Sequence, residues 1–311
     1  MRIGIVFPGQ GSQSAGMGRA LHDALPECRE VFEAADAALG EPLSRLIFEG
    51  PDEDLALTAN TQPAILTVSV AAWRALSRRG VEPSFVAGHS LGEYSALVAA
   101  GALSFPDAVR LVRRRGTYMQ QAVPQGVGAM AAIIGLAAEA VAEACAEAAD
   151  GEIVSVANLN SPEQTVIAGH AGAVRRASEA CLKKGARRAL PLPVSAPFHC
   201  ALMDPARQRL ATDIARAPMR NARCPVVTNA DATPASIASD LADALVRQVT
   251  SPVRWVETVR RLAFEGTDLL IEAGPGRVLS GLVRRTSPEM KCAAVESPET
   301  LEAALAAAGV N

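Results

Sequence analysis

Ser84-Phe85-Val86-Ala87-Gly88-His89-Ser90-Leu91-Gly92-Glu93-Tyr94 decides the fold. Residues 84–87 read as a short buried strand ending at Gly88, and residues 93–100 continue as a helix. Between them Gly88-His89-Ser90-Leu91-Gly92 fits G-x-S-x-G. The glycines permit a sharp strand-to-helix turn that lifts the Ser90 hydroxyl clear of a sheet, while the Leu91 amide faces the same space. A serine so placed can attack a carbonyl where a helix N-terminus favours the developing negative charge. Three fixed positions in a pentapeptide also arise by chance, and it is the strand-turn-helix setting that favours the catalytic reading.

Upstream of this turn, residues 3–7 form a second apolar strand that runs into the glycine-rich stretch 8–18, whose backbone can approach a ligand closely. Helical patterns follow over 19–39 and 62–78. Downstream the rhythm changes after Val123-Pro124-Gln125-Gly126. Strands are expected at 129–134, 153–158, 164–168 and 188–192, with helices at 137–149 and 173–184. That order, βαββαβ, is the split-βαβ, ferredoxin-like unit, placed as a small inserted domain at 124–198. The flanking pieces, 1–123 and 199–311, with further strands at 225–228 and 269–272, then build one large α/β-hydrolase-like domain around a largely parallel sheet.

The whole-chain figures narrow the function. Hydrophobic residues at 49% and charged residues at 20% suit a soluble globular chain of 311 residues. A net charge of −3 offers no broad basic field for nucleic acid, and the run Arg113-Arg114-Arg115 precedes a helical pattern without interleaved aromatics. Six scattered cysteines form no C-x-x-C pair, so neither a metal nor a redox site is expected, and reduced thiols point to the cytoplasm. The apolar start is too short for a signal peptide. The alanine-rich stretch 129–149 carries Glu139, Glu143 and Glu147 at helical spacing, a surface helix and not a membrane span.

A serine nucleophile needs a base, and four histidines are available. His22 and His170 suit solvent or local structure. His89 adjoins Ser90 on a tight turn, where neighbours point apart, and supports the turn. His199, in Val194-Ser195-Ala196-Pro197-Phe198-His199-Cys200, lies where the small domain hands back to the large one, a usual place for a cleft. Base and structural roles both remain open for it on these grounds.

The motifs taken together resemble bacterial malonyl-CoA:acyl carrier protein transacylases. They are Phe7-Pro8-Gly9-Gln10-Gly11-Ser12-Gln13, Gly88 to Tyr94, Arg115-Gly116 with Met119-Gln120, and Asn158-Leu159-Asn160-Ser161-Pro162. Pro197-Phe198-His199, Gln248 with Ser251-Pro252-Val253-Arg254-Trp255, and Glu272-Ala273-Gly274-Pro275-Gly276 complete the series in order. The resemblance implies an acyl-carrier-protein S-malonyltransferase with Ser90 as nucleophile, His199 as base and the Gln248 carbonyl orienting the imidazole. It implies an oxyanion hole from the Gln10 and Leu91 amides, and an acyl pocket lined by Met119 and Phe198, the latter favouring malonyl over methylmalonyl.

For Arg115 it implies the site of the malonyl carboxylate, which a planar guanidinium can meet through both oxygens. Without the resemblance, the three arginines read as a solvated helix face. The implied partners are malonyl-CoA and an acyl carrier protein, in fatty acid synthesis, with no cofactor, nucleic acid or membrane. Lys183, Lys184, Arg187 and Arg188 can serve coenzyme A phosphates or an acidic carrier, or simply end a helix. A polyketide-loading transacylase, a serine esterase or thioesterase, and a non-catalytic scaffold are the alternatives.

Overall fold

Ile3–Phe7, five buried residues, form the central strand β1. The other strands are β2 (Phe85–Gly88), β3 (Gly128–Ile134), β4 (Val154–Ser161), β5 (Gln164–His170), β6 (Arg188–Pro191), β7 (Val226–Val227), β8 (Pro234–Ala235), β9 (Leu269–Ala273) and β10 (Lys291–Val295). The computed structural model describes residues 1–194 and 196–310; Ser195, four positions before His199, lies outside the described residues.

One sheet runs β10-β9-β1-β2-β7-β8, parallel throughout except for β7 against β8. A parallel sheet is covered on both faces, which is why β1, β2 and β9 are buried along their whole length. From β1 the chain passes to β2 on one side and later adds β9 on the other. Strand order therefore reverses between β1 and β9, and the crevice usual in such sheets opens at the carboxyl end of β1, next to that of β2. Gln10 follows β1 and Ser90 follows β2.

The second sheet is antiparallel, in the order β4-β5-β3-β6. Side chains alternate along β3: Ala131 and Ile133 join a core shared with helices Ala138–Ala148 and Ala171–Lys183, while Met130 and Ala132 join the core of the larger unit. One face of this small sheet thus supplies its own core and the other closes a cavity. A backbone latch ties the units together, Leu159 N donating to the Val253 carbonyl at 2.9 Å and Val253 N to that of Ala157 at 2.9 Å.

Three helical expectations change. The helix expected over 19–39 is two, Arg19–Ala24 and Pro26–Leu39, because Leu25 before the proline is extended and Pro26 starts the second helix. The helix expected from residue 62 begins earlier, as Thr58–Arg78, so Gln62 lies inside it. The arginine run does not precede a helix but sits within one, Phe105–Gln121, capped by Ser104. Among the described residues no helix is long and apolar enough to cross a membrane.

Candidate active site

Ser90 stands at the turn between β2 and helix Gly92–Ala99 with φ 50°, a left-handed conformation rare outside glycine. Backbone crowding holds it there. A Cβ on Gly88 would lie 1.9 Å from the Gly92 carbonyl carbon, and one on Gly92 would lie 2.1 Å from the Phe7 carbonyl oxygen. The obstacles are main chain and cannot swing away. Gly92→Ala is therefore expected to destabilise the fold by at least about 3 kcal/mol, read as a lower midpoint in denaturant, whereas a midpoint within error of the parent would contradict this account of the turn.

The Ser90 hydroxyl lies 2.7 Å from His199 Nε2, and His199 Nδ1 lies 2.9 Å from the Gln248 carbonyl oxygen. A carbonyl only accepts, so Nδ1 carries the proton and Nε2 presents its lone pair to the serine. Burial, with Arg115 adding its repulsion, pushes the His199 imidazole down to about 3. It is neutral near pH 7, with the Nε2 lone pair free, and an anion offsetting the Arg115 charge would strengthen it as a base.

Arg115 is 1% exposed. Its Nη1 donates to Gln62 Oε1 at 2.8 Å, and its Nη2 to Ser90 Oγ at 3.1 Å and Gln248 Oε1 at 2.9 Å. All three partners are neutral, and among the described residues the buried Nε has no hydrogen-bond partner. Tyr94, also buried with an unbonded hydroxyl, lies close enough to interact electrostatically, its ring centroid 5.5 Å from the guanidinium carbon. Helical geometry separates the arginine run: Arg113 turns to Asn60 and Glu41, Arg114 to Asp213, and only Arg115 inward.

These groups face a cavity of about 190 Å³ between the two sheets, also lined by Gln10, Leu91, Met119 and Phe198. Every residue proposed from sequence for the acyl pocket therefore borders one space, and Gln248 supports it from behind. Gln10 is anchored by its side-chain Nε2, which donates to Thr58 Oγ1 at 3.2 Å. Of the other histidines, His89 Nε2 lies 2.8 Å from Asn160 Oδ1, tying the turn to β4, and His170 Nδ1 accepts from Ile153 N at 2.9 Å. His22 packs against Phe32 and Phe48. Lys184 is committed to Glu147 at 2.9 Å, and Arg187 pairs with Glu163.

Four residues of the site carried no sequence assignment. Gln62 holds Arg115, and Asn160 holds His89. Asn229 accepts from Ser90 N at 2.6 Å and donates to the Gly88 carbonyl at 2.6 Å. Glu93, 1% exposed, accepts from Gln248 Nε2 at 2.7 Å and Asn229 N at 3.0 Å. Asn160 and Glu93 stand inside quoted motifs, which was the available signal; Gln62 and Asn229 had none.

A family model described as acyl transferase domain matches residues 5–301. The chain is 50% identical over 305 residues, 98% of it and 99% of the relative, to the malonyl CoA-acyl carrier protein transacylase of Salmonella typhimurium. It is 48% identical over 305 residues, covering 98% and 96%, to that of Bacillus subtilis. A solved acyl carrier protein S-malonyltransferase from Vibrio cholerae superposes with a TM-score of 0.96 at 50% identity, covering 98% of this chain and 100% of that one. A malonyl-transacylase solved in complex with its type II PKS acyl-carrier protein gives 0.97 at 49% identity, covering 99% and 100%.

Proposed function

This chain belongs to the acyl transferase domain family, and from that premise we propose that it moves a malonyl group from malonyl-CoA to the phosphopantetheine thiol of an acyl carrier protein through an ester on Ser90. One observation carries the choice of substrate. A guanidinium buried to 1% exposure, 3.1 Å from the nucleophile and bonded, among the described residues, only to neutral groups, calls for an anion. In malonyl-serine the free carboxyl carbon is only a few bonds from Oγ, within reach of an arginine already touching that oxygen.

The reaction then runs in two halves. His199 Nε2 takes the Ser90 proton as Oγ attacks the thioester carbonyl, the oxyanion is met by the Gln10 and Leu91 amides, and coenzyme A leaves as the thiol with that proton. The carrier's thiol gives its proton to His199, attacks the ester, and Ser90 is restored. Ser90, His199 and Arg115 suffice for this chemistry without a metal or redox cofactor. Met119 and Phe198 bound the acyl group beside Arg115.

Gln164 borders both the cavity and a groove lined by Arg187, Arg188, Leu190 and Arg285. Arg187 is paired with Glu163 there, but Arg188 and Arg285 have no carboxylate partner among the described residues, so that groove suits coenzyme A phosphates or an acidic carrier better than the helix-end Lys184, which is already paired. The strand order β4-β5-β3-β6 with two helices on one face supports a ferredoxin-like inserted domain at 124–198. The parallel sheet with its serine turn supports a hydrolase-like domain from 1–123 and 199–311. Six free cysteines support a reducing, cytoplasmic setting, and fatty acid synthesis is the process served.

Two sequential half-reactions on one serine predict ping-pong kinetics. Initial rates of malonyl transfer, measured against malonyl-CoA at several carrier concentrations, are expected to give parallel double-reciprocal lines; intersecting lines would speak for direct transfer. The likeness to a transacylase solved with a type II PKS acyl-carrier protein supports a second reading, polyketide supply, which competition between the two kinds of carrier decides.

A further inference from the structure

We infer that Glu93 is a positioning residue, acting through Gln248 to hold the Arg115 guanidinium open toward the substrate carboxylate; the inference rests on the malonyl reading above. Glu93 lies beneath the site and touches none of the reacting atoms. An ionised carboxylate only accepts hydrogen bonds, so the Gln248 amide must turn its NH₂ toward Glu93 Oε2, 2.7 Å away. The same NH₂ donates to the Ser90 carbonyl at 2.9 Å, which leaves Gln248 Oε1 aimed at Arg115 Nη2, 2.9 Å away. Reversing the amide would set its NH₂ against the guanidinium and its oxygen against two acceptors.

The relay also solves a charge problem. A buried arginine needs a countercharge, yet a carboxylate paired directly with it would occupy the donors the substrate requires. Glu93 supplies negative charge one residue removed, and it favours the charged form of Arg115 without contacting it. Through its bond from Asn229 N, Glu93 also steadies the asparagine that clamps Ser90 N and the Gly88 carbonyl.

The test compares malonyl-CoA with acetyl-CoA, which lacks the carboxylate. Glutamine at position 93 offers a donor or an acceptor, so Gln248 loses its fixed sense. Glu93→Gln is expected to lower kcat/KM for malonyl-CoA roughly ten- to a hundredfold while changing that for acetyl-CoA only a few-fold. In an Arg115→Ala background the same substitution is expected to add only the few-fold change common to both thioesters. Equal losses on the two thioesters, or an undiminished effect in that background, would overturn the inference.

Should the variant not fold, the unsubstituted protein gives the answer. Burial pushes the Glu93 carboxyl up to about 7, with Gln248, Asn229 and Arg115 opposing the rise and Asp231 adding to it. His199 and His89 face the same region; burial pushes the His199 imidazole down to about 3 and lowers His89 from its ordinary value. The charge is present above the raised value and lost below it. The malonyl-to-acetyl ratio of kcat/KM is therefore expected to fall as pH drops from about 8 to about 6, the coenzyme being common to both and cancelling. A flat ratio overturns the inference; failure of malonyl-CoA to acylate Ser90 at all would instead overturn the functional reading beneath it.

Discussion

Replacing Ser90 with alanine is expected to abolish the acyl-enzyme and to lower malonyl transfer by at least about 10⁴-fold, with thermal stability nearly unchanged. Only the hydroxyl is removed, and with it go the hydrogen bonds that it shares with His199 and Arg115. His199→Ala is expected to cost a similar factor. Serine and imidazole share one proton across 2.7 Å, so the double substitution should be hardly worse than either single one. Losses that multiplied would mean that the two side chains act in separate steps. Turnover assays with malonyl-CoA and holo carrier protein measure all three variants.

Arg115→Ala carries the second large effect, a change in preference. Removing the guanidinium strands the substrate carboxylate in a buried space with no positive partner, so kcat/KM for malonyl-CoA is expected to fall roughly 10³-fold. Acetyl-CoA asks nothing of that charge and should be spared or improved. Arg115→Lys is expected to recover only part of the loss, because an ammonium cannot hold Gln62 and Gln248 while also offering a planar fork. Parallel loss on both thioesters would show that Arg115 supports the site's shape and does not read the substrate.

How much of this the chain displays depends on whether the relevant forces are local. The serine turn was legible because Gly88 and Gly92 are demanded by backbone contacts within a few residues of Ser90 or just across the sheet. The antiparallel sheet was legible because its strands alternate small-unit and large-unit faces. β10 carried no such signal: Lys291-Cys292-Ala293-Ala294 has little strand character, and it forms a strand where it lies along β9. Arg115 looked like its two neighbours until the turn of a helix sent each a different way. Glu93 and Asn229 meet across 136 residues of chain, a distance no local pattern reports.

The central claim is that a buried cation selects a carboxylate-bearing acyl group for a neighbouring serine. Mass analysis of the intact protein and of its peptides after parallel incubation with malonyl-CoA and acetyl-CoA tests it most directly. One malonyl group on the peptide bearing Ser90, discharged on addition of holo carrier protein, with little acetyl adduct over the same time, is the expected result. Acylation at another residue, or equal labelling by both thioesters, would contradict it.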